Sequence, residues 1–422
     1  MRYPTTITVL QSVRFRIVAG VLGAILSVGE ASAYDFSPPT PGFAPSAVNT
    51  FQFYVGDEET YDDNLFRIPP GTVGVPGAVF PNASQSDAVN TTTLGAQGKY
   101  DIARQEVEFN LRANDNQFIR NTVLNNISSS GVGTWNWTAG PYLTGQVSTI
   151  YDHSLASFSE TRYSGKDLVT SLEELGSARY QLGPHWAVYG QVRGSTIDHS
   201  AEPEKYNNFH NKAGNAGVQF VNNGMDTYGF EYQFVDLTFN QTLGGAQAYN
   251  YKEDSGRFLV HYGLSDKTII DGYAGYLRRQ YPGLAIGSYS GEIGRVALTY
   301  NLTEKTQFLV SGWHELHAYI DAESNYFVAQ GVSIAPVWNA SEKLSFTLLA
   351  SYENQDYIAS NSVIVATPRH DKVNGEQATI RYSPRDAWIF NMFIRHEKRE
   401  SNQNVFSYTD NVISGNVTFR FW

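Results

Sequence analysis

Tyr228-Gly229-Phe230-Glu231-Tyr232-Gln233-Phe234 sets an aromatic ring at every second position, with a carboxylate and an amide between the rings. Successive side chains of a strand point to opposite faces. As a strand, this run therefore has one wholly apolar face and one that can meet water. On a helix the same residues would scatter around the axis. The pattern recurs along the chain. Leu344, Phe346, Leu348, Ala350 and Tyr352 oppose Ser345, Thr347, Ser351 and Glu353. Trp186, Val188, Gly190 and Val192 oppose Tyr189, Gln191 and Arg193. Gly294, Val296, Leu298 and Tyr300 oppose Arg295, Thr299 and Asn301. In a soluble protein the apolar face would be core. Here the other face carries charges and amides along the full strand, which suits a wet lumen behind a lipid-facing wall.

Working outward, such runs are separated alternately by short and long connections. The short ones are Thr138–Pro141, Leu182–His185, Asn222–Asp226, Ser265–Lys267, Thr303–Lys305, Ser341–Lys343 and Ser383–Asp386, with a softer one at Tyr100–Ala103. They are rich in the Gly, Pro, Asn and Asp that reversals use. Long polar stretches lie at 58–87, 153–166, 199–211, 240–248, 281–288, 320–326, 357–371 and 400–408, with a shorter one at 114–120. Alternation of tight turns with long loops is the outer-membrane pattern. It predicts an all-β protein, a transmembrane antiparallel up-and-down β-barrel of about 18 strands, or 16 if the irregular runs 49–57 and 121–137 are not strands. An even number returns both termini to the periplasm. Pro336 and Glu174 are local misfits to the alternation, each of a kind that a bulge or a register error explains. Trp186, Trp338, Trp388, Tyr300 and Tyr382 fit interfacial girdles.

The two ends agree with this reading. Arg14 and Arg16 precede the apolar run Ile17–Gly29, and Ala31-Ser32-Ala33 supplies a small-residue cleavage site. Residues 1–33 therefore read as a cleaved signal peptide, the run being shorter than the roughly 20 residues of a spanning helix. Residues 34–48, with Pro38, Pro39, Pro41 and Pro45, read as a proline-rich periplasmic lead-in to a barrel at 49–422. At the other end Val417, Phe419 and Phe421 share one face, Thr418 and Arg420 the other, and Trp422 is last. This resembles the terminal signal read by the barrel-assembly machinery, an expected partner together with outer-membrane lipid and lipopolysaccharide. The chain has no cysteine, which excludes disulfides and thiolate metal sites, and its net charge of -11 offers no footprint for a nucleic-acid partner.

If apolar faces meet lipid, the lumen is lined by Arg179, Arg193, Glu231, Arg257, Arg295, Glu315, Arg381 and Arg395, together with Glu106, Glu108, Arg112, Glu173 and Glu397. Two readings stand side by side, a salt-bridge network that stiffens the wall and an aqueous path for polar solutes. No catalytic, metal or cofactor residue is assigned. In His153-Ser154 and His199-Ser200 adjacent residues point to opposite faces. His314 and His317 lack the helical spacing of a zinc site. The acidic run Asp57–Asp63 reads as a solvated loop, with divalent-cation binding as the sharper alternative.

That run continues as Thr60-Tyr-Asp-Asp-Asn-Leu-Phe-Arg-Ile68, followed by Arg104–Arg112 and Trp135-Asn-Trp-Thr-Ala-Gly140. These segments resemble the putative beta-barrel porin 2 family, and within it the EpsL-type outer-membrane proteins of exopolysaccharide operons. The resemblance implies a non-enzymatic role in exopolysaccharide biosynthesis and export, as a passive conduit or assembly component beside polysaccharide export components. The alternatives are a general diffusion porin for small polar solutes, a barrel closed by its own loops, and, from another class, a surface lipid hydrolase.

Overall fold

The computed structural model describes residues 50–72, 83–159, 163, 165–222, 226–240, 250–282, 288–318, 324–359 and 368–421. The segments read as signal peptide and lead-in, and the terminal Trp422, lie outside the described residues. Eighteen strands follow one another: β1 Thr50–Asp62, β2 Asp87–Ile102, β3 Gln105–Phe118, β4 Asn126–Ala139, β5 Leu143–Leu155 and β6 Leu168–Gln181. Then come β7 Trp186–His199, β8 Phe209–Val221, β9 Thr227–Phe239, β10 Tyr251–Ser265, β11 Thr268–Gln280 and β12 Tyr289–Thr303. The last six are β13 Thr306–Ala318, β14 Ser324–Ser341, β15 Leu344–Ala359, β16 His370–Arg385, β17 Trp388–Ser401 and β18 Tyr408–Phe421. Each pairs antiparallel with its chain neighbours, and β1 also pairs with β18, so the sheet closes on itself as an 18-stranded barrel. Closure removes the unpaired edges that lipid would not tolerate.

The short turns gather at one rim together with the first residue of β1 and the last of β18. Three of them share a local design spaced 38 residues apart, at Lys267, Lys305 and Lys343. In each, an acid precedes the lysine and a Ser or Thr stands before the acid. The lysine N–H donates to that hydroxyl at 3.2–3.3 Å. The lysine carbonyl accepts the N–H of Asn301, Asn339 or Ser383 on the following hairpin, at 2.7–2.8 Å. Each turn thereby ties itself to the next. The turn between β4 and β5 uses Gly140 at φ 66°, whereas the one between β2 and β3 holds Ala103 at φ 57°, a conformation that costs a side-chain-bearing residue about 1–2 kcal/mol.

The strands are 13–18 residues long, more than the 9–11 or so that cross the hydrocarbon of a bilayer. Nearest the short turns the outward face is apolar: Trp186 and Val188 on β7, Phe230 to Phe234 on β9, Leu344 to Leu348 on β15, and Trp388 to Ile394 on β17. Trp338, Tyr300 and Tyr382 join that band, all exposed to the exterior. A chain of outward rings runs from Tyr382 through Phe390, Trp388, Phe419, Phe421, Phe53 and Phe51 to Phe109, with successive centroids 4.8–6.3 Å apart. It crosses the β1–β18 seam. Val417, Phe419 and Phe421 thus belong to the lipid-facing girdle.

Beyond that band the two faces exchange character. On β9 Asp236 and Thr238 point outward, while Val235, Leu237 and Phe239 turn inward and pack with Phe209, Ala213 and Tyr251. This exchange corrects two boundaries expected from sequence. β1 continues to Asp62, because Glu58–Asp62 keep their pairing to both β2 and β18, so the acidic run is strand before it is loop. β4 begins only at Asn126, after a 3-10 turn at Thr122–Leu124. Pro336 interrupts the rungs between β14 and β15, which stop at Ile334 and resume at Val337 with the same offset; Glu174 stays in register and faces outward.

Candidate functional site in the barrel interior

Arg179, Arg193, Glu231, Arg257, Arg295, Glu315, Arg381 and Arg395 all lie on the inward parity of their strands, but they do not form one cluster. Arg295 grips Glu315 with two parallel bonds of 2.9 and 2.6 Å, while the Tyr273 hydroxyl donates to the same carboxylate at 2.6 Å. Such a bidentate charge-assisted pair is strong and geometrically fixed. Arg257 stands opposite Glu231 on the neighbouring strand and lies 5.0 Å from the Tyr273 ring. Glu231 also accepts from the Tyr189 hydroxyl at 3.1 Å. Arg193 Nε is 3.5 Å from Glu173, and Arg395 reaches Asp410 at 3.2 Å. Arg179 donates to Gln219 at 3.2 Å, and Arg381 stands between Ser345 and Asn391. Glu106, Glu108 and Arg112 are inward too, the first two paired with Lys99.

Further inward ion pairs are not legible in the sequence. Glu253 accepts two bonds from Arg279 at 2.9 and 2.7 Å, and the guanidinium lies 4.1 Å from the Tyr251 ring. Arg369 pairs with Asp371 between Tyr357 and Phe406, at 4.0 and 3.5 Å from their ring centres. Glu353 accepts from Trp313 Nε1 at 2.7 Å. All of these lie toward the long connections, where both faces of a strand carry polar residues and alternation no longer separates inside from outside. The two halves of the interior differ in packing. Toward the short turns the interior is mixed: inward Leu309 is 39% exposed and Arg179 and Arg381 are partly exposed, whereas inward Ala187 and Ile389 are enclosed. Toward the long connections inward residues are enclosed, with Leu237 at 1%, Phe327 at 1% and Asp410 at 0%. The lumen is partly open toward the short turns and filled by ion-paired and aromatic side chains toward the long connections.

The segment Asp62–Ile68 helps fill that zone. The Asp63 N–H donates to the Asn411 carbonyl at 3.1 Å, and Asn411 returns two bonds to the Asp63 carboxylate at 2.7 Å each. Asn64 Nδ2 donates to the carbonyls of Ile68 and Thr409 at 2.9 Å. The chain then turns at Arg67, φ 53°, whose guanidinium reaches Asp62 at 2.8 Å and Asp410 at 3.1 Å. Burial works against the Arg67 charge, but those two carboxylates outweigh it and raise its pKa further. Phe66 is buried against Phe118, Leu124 and Phe158, worth about 1.5–3 kcal/mol. The segment clasps β1 to β18 above their ladder and sets an apolar knob inside the barrel. The Asp62, Asp63 and Asp410 carboxylates come within 4.8 Å of one another, but the Arg67 guanidinium already occupies the space between Asp62 and Asp410.

The histidine candidates are placed otherwise. His153 and Ser154 lie within β5, on opposite faces as expected for adjacent strand residues. His199 Nδ1 is 2.7 Å from Asp167, and the Ser200 hydroxyl donates to that same carboxylate at 3.3 Å, not to the imidazole. Burial alone would raise the Asp167 pKa, yet the bonds from His199, the Ala201 N–H and Ser200 hold it below the usual carboxylate range. His314 and His317 sit on opposite faces of β13, with His317 stacked on Phe327 at 5.2 Å.

The family model described as Putative beta-barrel porin 2 matches residues 233–421. Among solved structures, outer membrane protein opdK of Pseudomonas aeruginosa shares 10% identity over 88% of this chain and 99% of its own, with a TM-score of 0.47. For OccAB3 of Acinetobacter baumannii the figures are 9%, 88%, 99% and 0.46. For a BenF-like porin from Pseudomonas fluorescens Pf-5 they are 9%, 89%, 100% and 0.47. No curated protein matches. From Gln233 to Phe421 the chain is thus similar to the Putative beta-barrel porin 2 family, and the protein is a closed β-barrel of the bacterial outer membrane.

Proposed function

We propose that the protein is a passive diffusion channel for small polar solutes, restricted at its long-connection end. The observation that carries this reading is the contrast within the interior. A partly open half lined by charges and amides leads to a zone where paired arginines, carboxylates and aromatic rings leave inward side chains enclosed. Lumen groups of both signs, held in pairs, favour polar solutes without strong charge preference. The porin-family match over residues 233–421 supports the same class. The exopolysaccharide role implied by the Asp62–Ile68 resemblance is the second reading. Against it, that segment works here as a seam clasp, and a polymer chain would require a continuous bore through the zone it helps to fill.

The test is solute entry into liposomes carrying the purified protein. Swelling rates should fall steeply from pentoses to disaccharides and vanish for dextran. Equal rates for all solutes and for empty liposomes would overturn the channel. Dextran passage would favour the polymer reading.

A further inference from the structure

We infer that the lipid-facing surface of β6, β7 and β8 is the interface between two copies of this chain, related by a two-fold axis passing through β7. The inference is independent of whether the lumen conducts. It begins with a carboxylate in an unexpected place. Glu173 points inward to Arg193, so Glu174 points outward, and it is exposed. It stands seven residues above Gln181, the short-turn end of β6. At about 3.4 Å per residue and a tilt of about 40° that is roughly 18 Å up an apolar band about 25 Å tall. Outward Leu172 lies above it and Tyr180 below it on the same strand. Asp57 and Glu59 also face outward, but Asn90 donates to both, at 3.2 and 2.8 Å. Glu174 makes no hydrogen bond or ion pair among the described residues.

The pairing registers place a cation beside it. Glu174 pairs with Gly194 on β7, and Gly194 pairs with Lys212 on β8. Lys212 is exposed; the same rung continues to outward Asp236 on β9, which lies 3.7 Å from Lys252, and among the described residues no ion pair joins Lys212 to a carboxylate. Carboxylate, glycine and ammonium thus lie in a row across three strands, the two charges flanking a position with no side chain. Nothing inside the chain requires that glycine: a Cβ at Gly194 would meet no atom within 4 Å, and Gly176 and Gly190 also have room. A glycine within a strand weakens it and is found at bulges, at bends and where another backbone approaches closely; β7 has no bulge at Gly194. Ionisable groups at this depth ordinarily face protein or water rather than lipid.

A second copy gives Glu174 the opposite charge that neither of its own rung neighbours, Thr149 and Gly194, supplies. Rotation by a half turn about an axis along the bilayer normal exchanges left and right and keeps depth. With β7 on that axis, β6 of one subunit faces β8 of the other. Glu174 then meets Lys212 of the partner subunit, and the pair is repeated by symmetry, as an isologous contact demands. Lys212 lies nearer the long-connection rim than Glu174, a difference that its long flexible side chain spans. The glycines at the centre let the two walls approach.

The chain has no cysteine, so introduced thiols report without background. In isolated outer membranes under mild oxidation, Gly194→Cys should give a disulfide-linked dimer. So should Val192→Cys, a neighbouring outward position on β7. Val296→Cys, outward on β12, should remain monomeric. In the Gly194→Cys background, Glu174→Lys or Lys212→Glu should each lose most of the linked product, and the double exchange should restore it. Heat-modifiable migration checks that every variant is folded. Monomer at both β7 positions would overturn the interface. Single exchanges that cross-link like the parent, or a double exchange no better than the singles, would overturn the proposed charge pairing.

Discussion

Arg67 shows how much rests on one side chain and how little of that is visible in the sequence. The run around it reads as a motif, yet its partner Asp410 lies in the last strand, and only closure of the barrel brings the two together. The same holds for Arg295 and Glu315. Alternation places both inside, but their contact depends on a register that the sequence does not state. Replacing Arg67 with Met leaves Asp62 without its cation and Asp410 with Arg395 alone. Breaking a buried pair costs about 3–5 kcal/mol, and the remaining arginine puts this case toward the lower end. The variant should unfold at lower temperature on unboiled gels, with partial recovery in Arg67→Lys; parental melting would refute the clasp. Asp167 gives a pH test. Its pKa is lowered in the folded protein, so its contribution is complete above the ordinary carboxylate value and is lost as pH falls through the lowered one. Neighbouring Glu204, raised by burial and by Asp167, protonates first and does not loosen this contact. Amide exchange at 199–208 should stay slow through the ordinary carboxylate range and quicken only below it. Asp167→Asn should exchange fast throughout. Quickening at neutral pH in the parent would contradict the assignment.

At the scale of the strand, the lipid-crossing part was readable and the rest was not. Between the short turns and the end of the apolar band each strand must be apolar outside and polar inside, and that requirement writes itself into the sequence with period two. Above the band it lapses. Asp57 to Thr60 is polar on both faces, so the upper part of β1 reads as loop, and the apolar inward face of Val235, Leu237 and Phe239 has no counterpart in a lumen expected to be polar. The last strand carries a sharper expectation. Phe419 and Phe421 join Trp388 and Phe53 in one ring chain across the seam. Changing both to Asp sets charges into lipid near the rim, at less than the roughly 2–4 kcal/mol of the bilayer centre. The larger effect should come from failed assembly, seen as loss of the heat-modifiable band and periplasmic degradation. Normal folded protein from the double-Asp variant would show that these rings are dispensable for insertion.

Taken whole, the barrel has a short-turn half where arginines are partly exposed and a far zone where they are locked against carboxylates and rings. Arg179 and Arg381 belong to the first; among the described residues neither makes an ion pair. Arg295 belongs to the second. Charge reversal should therefore act differently in the two zones, tuning selectivity below and destabilising the wall above. Arg295→Glu should lower the heat-modification temperature, whereas Arg179→Glu with Arg381→Glu should leave it near the parent's. The most direct test of the conduit is ion flow through purified protein in planar bilayers, measured under a salt gradient. The parent should give discrete conductance steps with a reversal potential near zero. The Arg179→Glu, Arg381→Glu pair should shift that potential toward cation selectivity, and Phe66→Ala with Arg67→Met should raise the step size. A parent that passes no current, and still passes none once Phe66 and Arg67 are replaced, would contradict the account and leave a closed structural barrel in its place.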